Sequence, residues 1–91
     1  MHLEIVTPEA TLFKGEVTSV AVPGVNGEFE MLNNHAPIVS LLKEGNVKIY
    51  GDITLEEEVE DRFKKMDKGM WLPINSGTIE MKDNKVIVLA D

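Results

Sequence analysis

The chain has 91 residues, of which 43% are hydrophobic and 27% charged, and it contains no cysteine. This length and balance indicate one folded domain with a single small core, and they exclude a separate cofactor domain, disulfide bonds and thiolate chemistry. The formal net charge of −7 opposes binding to nucleic acid and to anionic lipid, and no apolar run approaches the roughly 20 residues that cross a bilayer, so we expect neither a nucleic-acid partner nor direct lipid insertion.

The first part of the chain alternates short apolar stretches with glycine, proline and asparagine, the pattern of an antiparallel sandwich or barrel. Leu3 and Ile5 lie between polar neighbours, so the opening strand is expected to bury one face. The next strand, at about 16–22, is apolar on both faces, and we expect both faces to be covered. Residues 23–27 should form a turn, because their glycines accept positive φ and their proline cannot donate to a strand ladder.

Further strands follow this turn. In residues 28–32 the side chains of Phe29 and Met31 share one face, while Glu28 and Glu30 take the outer face. Additional strands are predicted at about 38–42 and 47–50, and a closing hairpin turns at about 83–84. The last strand has apolar residues on both faces. One of these two faces is therefore expected to be spare, with no packing partner identified in the sequence.

Residues 54–68 break the strand period and predict an α-helix. Thr54 and Glu57 form a capping box, acids fill the first turn, lysines fill the last turn, and Gly69 suits a C-terminal cap. Apolar side chains recur every three or four residues and form one stripe: Leu55, Val59, Phe63 and Met66. Because such a helix is marginal alone in water, we expect the stripe to pack on its own sandwich, with a partner protein as the alternative.

The chain contains histidines, serines and acidic residues, but they do not have the spacing that a metal site or a catalytic site requires. His2 and His35 lack a nearby ligand at metal-site spacing, and Ser40 does not sit in a nucleophile elbow. The segment 23–27 is glycine-rich but lacks the lysine and helix of a phosphate cradle. Glu28 and Glu30 read as solvated carboxylates, and Trp71 reads as packing. The residues by themselves therefore indicate a small acidic binding module, with no cofactor.

A series of short blocks carries a family resemblance. The blocks, in chain order, are Thr7-Pro8-Glu9, Phe13-Lys14-Gly15-Glu16-Val17, Val22-Pro23-Gly24, Gly27-Glu28-Phe29, Asn34-His35-Ala36-Pro37 and the ending Val86-Ile87-Val88-Leu89-Ala90-Asp91. In this order they resemble the epsilon subunit of bacterial and chloroplast ATP synthases, called delta in mitochondria. The resemblance covers nearly the whole chain outside residues 52–72.

The resemblance implies a mainly β fold: a flattened antiparallel β-sandwich or barrel of about 8–10 strands over residues 1–91. To this fold the chain would add one short α-helix at about 54–68, within a helical insertion at about 52–69. It also implies a non-catalytic subunit of the central stalk of the F-type enzyme. Such a subunit binds the gamma subunit and the c ring, without a cofactor, and passes proton-driven rotation to the catalytic head. Its expected place is peripheral, at the cytoplasmic face of the bacterial inner membrane.

Two segments match the family's contact regions. The expected c-ring contact comprises Gly27, Glu28 and Phe29. The expected gamma contact comprises His35, Ala36 and Pro37. For His35 there are two alternatives: a direct contact with gamma, or a structural role in which the histidine fixes the loop 33–37.

Departures from the family leave alternatives open. The family commonly carries a C-terminal pair of helices that can inhibit ATP hydrolysis, and because this chain ends at Asp91 we expect no inhibition by that device. The predicted helix would replace part of the packing of that pair against the spare apolar face of the last strand. The alternatives are a free-standing β-sandwich that binds a peptide or small ligand, and a small hydrolase centred on His35.

Overall fold

The structure is a computed structural model that describes all 91 residues, and ten β-strands make up most of it. The strands are β1 His2–Val6, β2 Thr11–Glu16, β3 Ser19–Gly24, β4 Gly27–Met31, β5 Ile38–Leu42, β6 Gly45–Tyr50, β7 Lys64–Met66, β8 Gly69–Ile74, β9 Gly77–Lys82 and β10 Lys85–Ala90. The only helical element is a 3₁₀ turn at Glu60–Arg62. The prediction of a mainly β fold with about 8–10 strands is confirmed.

The strands form one curled sheet in the order β2-β1-β10-β9-β5-β3-β6-β8-β7, with β4 paired to the other side of β3. The link between β5 and β3 is a single pair, Gly24 with Leu42. This weak joint divides the sheet into a first half (β2, β1, β10, β9, β5) and a second half (β4, β3, β6, β8, β7). Every strand pair is antiparallel except β1 with β10, which run parallel.

The two halves pack face to face over one core of 20 buried hydrophobic residues. The first half contributes Leu3, Ile5, Ile79, Met81, Val86 and Val88; the second contributes Val20, Val22, Met31, Val47, Ile49 and Leu72. All of these come from the inward positions of alternating strands, because successive side chains of a strand point to opposite faces. Burying each large apolar side chain contributes about 1.5–3 kcal/mol, which the entropy of ordering the chain largely offsets.

Strand β3 is buried at all six of its positions, as its apolar sequence predicts. Val20 and Val22 point into the core, while the outer face of β3 lies beneath side chains of β4 and β6. Ala21, for example, pairs with Glu30 on one side and Lys48 on the other, and it is only 5% exposed. The covering of this outer face therefore comes from charged side chains of the same half-sheet.

The predicted α-helix at about 54–68, and with it the helical insertion at about 52–69, is wrong. The segment consists of turns, the short 3₁₀ helix and then the β7–β8 hairpin, with Gly69 opening a strand instead of capping a helix. A capping box supplies about 1 kcal/mol and each surface ion pair a few tenths of a kcal/mol, and these local terms do not outweigh the cost of helix nucleation. Pairing β7 with β8 satisfies backbone groups along an otherwise open strand edge, and that tertiary gain decides the conformation.

The apolar stripe of this segment still packs on its own sandwich, as expected, with one exception. Phe63 joins the core at 8% exposure, and Leu55 and Val59 pack half-buried against it. Met66 is 41% exposed, because the two-residue period of β7 turns it away from the core. The segment does not cover the spare face of the last strand, where Leu89 remains 52% exposed, so the expected replacement of C-terminal helix packing is also wrong.

Candidate functional site

The two predicted contact segments lie at opposite ends of β4. Gly27 and Glu28 begin this strand, whereas the loop 33–37 follows its last residue, Met31. Four residue steps along an extended strand span about 13 Å. The structure therefore does not bring the two segments together into one site; it presents them as two separate surfaces.

The first segment forms the end of the β3–β4 hairpin. The two-residue loop Val25–Asn26 is followed by Gly27, whose φ of +126° is readily adopted only by glycine. Phe29 points inward and packs half-buried against the core. Its ring lies so close to Gly24 that a Cβ added there would come within 2.7 Å of it. Of the three predicted residues, Gly27 and Glu28 are exposed, whereas Phe29 is half-buried.

Glu28 belongs to a cluster on the outer face of the second half-sheet. Its Oε1 lies 2.9 Å from Nζ of Lys48, and that Nζ lies 4.3 Å from the ring centroid of Trp71. The hydrogen bond to Glu28 raises the pKa of Lys48 above its ordinary value. The Lys48 side chain is 21% exposed and the Glu28 side chain 50% exposed. We call this arrangement the Glu28–Lys48–Trp71 cluster.

The neighbouring Glu30 is engaged separately, since its Oε2 accepts a hydrogen bond of 2.9 Å from the Ser19 hydroxyl. Both glutamates point to the outer face, as their alternation predicted. Each has its own partner, so they do not form a shared acid–base pair.

The second segment is an exposed loop tied to the β9–β10 hairpin. The backbone N–H of Asn34 donates to Oδ1 of Asn84 (2.7 Å), and Nδ2 of Asn84 donates to Oδ1 of Asn33 (2.8 Å). The His35 ring is exposed, and its Nδ1 donates to the carbonyl of Ala36 at 2.7 Å. Because a carbonyl only accepts, Nδ1 carries the proton. The asparagines, not His35, connect the loop to the rest of the fold.

The imagined hydrolase site does not form. Ser40 lies in β5, and its hydroxyl donates to the carbonyl of Leu41 at 3.4 Å, whereas the His35 ring bonds Ala36. No group of three or more histidine, aspartate or glutamate side chains has an arrangement that could hold a metal ion. The fold also contains no helix long and apolar enough to span a membrane.

A charged cluster that the sequence did not reveal surrounds Glu4 on the outer face of the first half-sheet. Oε1 of Glu4 lies 3.4 Å from Nε2 of His2, 3.6 Å from Nζ of Lys85 and 3.8 Å from Nζ of Lys14. These contacts, led by the hydrogen bond from His2, lower the pKa of Glu4. The parallel pairing of β1 with β10 brings Lys85 beside His2. No local sequence pattern indicates the register of this strand pair.

Large apolar side chains remain exposed on the same outer face, towards the β3–β4 hairpin. Val39 is 75%, Leu41 62% and Leu89 52% exposed. Leu41 and Leu89 flank Thr78 across three neighbouring strands, and the backbone N–H of Val25 donates to the carbonyl of Leu41. We call Val25, Val39, Leu41 and Leu89 the apolar patch. Part of it lines an open groove of about 740 Å³.

Patches of this kind are typical of surfaces that contact other proteins. The apolar run 38–42 and the second apolar face of the last strand were the sequence signals for it. What the sequence could not show is that the two strands lie on either side of β9.

Comparison with known proteins matches the whole chain to one family. Residues 1–91 match the model of the family described as "ATP synthase, Delta/Epsilon chain, beta-sandwich domain". The ATP synthase epsilon chain of Campylobacter concisus is 42% identical over 91 residues, which are all of this chain and 60% of that protein. The epsilon chain of Chlorobium limicola is 38% identical over 89 residues, covering 98% of this chain and 86% of that protein.

Solved structures share the fold at low sequence identity. A chain of the Tetrahymena thermophila mitochondrial ATP synthase central stalk and c-ring structure aligns with a TM-score of 0.71 at 13% identity, over 98% of this chain and 61% of that one. A chain of the Euglena gracilis mitochondrial ATP synthase aligns with a TM-score of 0.74 at 19% identity, over 97% of this chain and 48% of that one. These identities support the fold alone. The match over the full length, together with the 38% identity to a relative that the chain nearly spans, shows that this chain belongs to the ATP synthase delta/epsilon chain family and forms its β-sandwich domain.

Proposed function

We propose that this chain is a non-catalytic part of the central stalk of an F-type ATP synthase. In this role it binds the gamma subunit and the c ring and passes c-ring rotation to the catalytic head, as a peripheral component at the cytoplasmic face of the bacterial inner membrane. The observation that carries the proposal is the family match over all 91 residues, and two separate exposed surfaces at opposite ends of β4 support it.

A coupling element has to transmit force without yielding. The core joins both half-sheets through a single cluster of 20 buried residues, and close-packed interiors of this kind have low compressibility. The weak joint between β5 and β3 includes Leu42, which belongs to that core. A load applied at one end of the sandwich is therefore expected to reach the other end as a displacement of the whole body.

The c-ring contact is proposed at the β3–β4 hairpin. Gly27 is exposed and carries no side chain, so a partner loop can approach the backbone closely. Glu28 presents a half-exposed carboxylate beside it. A partner that offers a hydrogen-bond donor or a basic side chain fits this end, and such charge-assisted bonds are stronger than neutral ones.

The gamma contact is proposed at the loop 33–37. Asn84 accepts a hydrogen bond from the Asn34 N–H and donates one to Asn33, and these two bonds hold the loop on the sandwich without using His35. The His35 ring keeps Nε2 free, because only Nδ1 is engaged. An exposed ring on a fixed loop loses little conformational freedom when it binds, which favours its use as a contact residue.

The proposal is tested by measuring affinities of the wild-type chain, Glu28→Lys and His35→Ala for purified c ring and for purified gamma subunit. Charge reversal at a contact should weaken c-ring binding about tenfold or more, which corresponds to about 1.4 kcal/mol. Glu57→Lys, at an exposed position of the segment before β7, makes the same change in net charge and should leave c-ring binding unchanged.

Each contact variant also serves as a control for the other partner. Glu28→Lys should leave gamma binding unchanged, and His35→Ala should leave c-ring binding unchanged. Unchanged binding by both variants would remove the residue assignments. Absence of binding by the wild-type chain to either partner would overturn the proposed function.

A second candidate is a free-standing module that binds a peptide or small ligand, and the groove beside the apolar patch is the observation that favours it. Its volume of about 740 Å³ lies within the range of small-ligand sites, and its lining includes Leu41, Leu89, Ser76 and Asp91. Ser76 and Asp91 are already bonded to each other, at 2.9 Å between hydroxyl and carboxylate, so few polar groups remain to orient a ligand. Leu41→Asp should abolish such binding, because it places a carboxylate in the apolar part of the groove.

A further inference from the structure

The Glu28–Lys48–Trp71 cluster joins β4, β6 and β8 across the outer face of the second half-sheet. We infer that Lys48 is a positioning residue: it holds Glu28 in one orientation against the sheet, with the second carboxylate oxygen presented to a donor group on the c ring. This inference rests on the proposed function and names a residue that the sequence pattern did not single out.

The register shows how Lys48 reaches Glu28. Glu28 pairs with Pro23 and Lys48 pairs with Ala21, so the two residues lie on opposite sides of β3. Two strand spacings, together with an offset of two residues along β3, separate their Cα atoms by about 12 Å. Both side chains must therefore lean over β3 to meet at 2.9 Å. The small side chain of Ala21 leaves room for the Lys48 stem to cross.

Trp71 fixes the other side of Lys48. It pairs directly with Lys48 across β6 and β8, and the ammonium group lies 4.3 Å from its ring centroid. An ammonium ion over an indole face is attracted by the negative face of the ring. With Glu28 and Trp71 on its two sides, the Lys48 ammonium group is held in one place, and it holds Glu28 in turn.

The arrangement leaves Glu28 partly unsatisfied towards solvent. Only Oε1 contacts Lys48, and the side chain is 50% exposed. An ionised carboxylate has about four acceptor sites, so Oε2 remains available to a partner. A glutamate already held in one rotamer loses less side-chain entropy on binding than a free one, and this is the gain that Lys48 provides.

A contrary expectation follows from charge alone. A lysine beside the contact carboxylate cancels its charge and repels a cationic group on the c ring, so removing the lysine would strengthen binding. Positioning predicts the opposite sign: Lys48→Met should weaken binding, because the unheld carboxylate must be ordered by the partner. The sign of a single affinity change therefore separates the two accounts.

The experiment measures affinity for purified c ring in lipid nanodiscs with the wild-type chain, Lys48→Met, Lys48→Arg, Glu28→Gln and the double variant Lys48→Met with Glu28→Gln. We expect Lys48→Met to weaken binding about two- to tenfold, and Lys48→Arg to restore it to within about twofold, since arginine also bonds a carboxylate and stacks on an aromatic ring. In the Glu28→Gln background, Lys48→Met should have no further effect.

The fluorescence of Trp71, the only tryptophan of the chain, reports on the cluster in the unbound protein. Both Lys48→Met and Glu28→Gln should change its emission, because each removes or releases the ammonium group over the ring. An unchanged emission in Lys48→Met would overturn the inference, since the ammonium group would then not lie over the Trp71 ring.

The affinities separate failure of the inference from failure of the proposed function. If the wild-type chain binds and Lys48→Met binds equally or more tightly, Lys48 does not position Glu28, while the coupling role stands. A loss that persists in full in the Glu28→Gln background would also overturn the inference, because Lys48 would then act independently of Glu28. If the wild-type chain does not bind the c ring, the proposed function and this inference both fall.

Discussion

Replacing Phe63 with alanine tests whether the segment before β7 is part of the folded unit. Phe63 is 8% exposed and belongs to the core cluster, although its neighbours Arg62 and Lys64 are exposed. Removal of a buried phenylalanine side chain costs about 3–5 kcal/mol, and a position at the rim of the core favours the lower end, about 3 kcal/mol. For a domain of this size the total stability is about 5–14 kcal/mol, so the variant should still fold. Its melting temperature should drop by about 12–24 °C.

Met66→Ala is the matched control for Phe63→Ala. A helix spanning 54–68 would place both residues on one buried stripe, whereas the observed strand β7 exposes 41% of Met66. The structure therefore predicts a change of less than about 1 kcal/mol for Met66→Ala. Thermal unfolding followed by circular dichroism measures both variants. Equal and large losses for the two would refute the β7 assignment, and equal stability of Phe63→Ala and wild type would show that the segment does not pack on the sandwich.

Two further predictions concern the loop 33–37 and the charged cluster at β1. Asn84→Gly keeps the positive φ of 60° while removing the side-chain bonds to Asn34 and Asn33. The variant should lose about 1 kcal/mol of folding stability, and the NMR amide resonances of loop 33–37 should shift. Unchanged resonances would contradict the view that Asn84 holds this loop. The pKa of Glu4 is lowered by the hydrogen bond from His2, so the stability it contributes is complete above its ordinary value of 4.5 and is lost as the pH falls through its lower folded value. Denaturant midpoints measured from pH 6 to pH 2 should fall less steeply in Glu4→Gln than in wild type, and parallel profiles would rule this linkage out.

The sequence predicted the strands whose two-residue alternation is strong. Leu3 and Ile5 in β1, and Val47 and Ile49 in β6, are all fully buried, as their spacing requires. The burial of β3 on both faces also followed from its continuous apolar run. These features are local, because side-chain direction along a strand depends only on the backbone period.

The failure at residues 54–68 has a different physical origin. The capping box at Thr54 and the charge pairs are genuine local preferences, but each is small beside what a strand edge and an open core rim offer. Leu55, Val59 and Phe63 pack on the sandwich core whether the backbone is a helix or a loop and strand. The pattern of apolar residues therefore predicted the packing partner correctly, the chain's own core, but predicted the wrong backbone conformation. Local propensity is a weak prior that tertiary contacts can override.

Sequence blocks such as Asn34-His35-Ala36-Pro37 determined the family, because their order along the chain requires no knowledge of contacts. The meeting of Lys48 with Glu28, of Lys85 with Glu4, and of Leu41 with Leu89 across Thr78 was decided only by the tertiary structure. Each of these depends on which strands become neighbours and in which register. That choice is made by the whole core when it closes, since many partial pairings satisfy the same local alternation and only one buries all the inward side chains together.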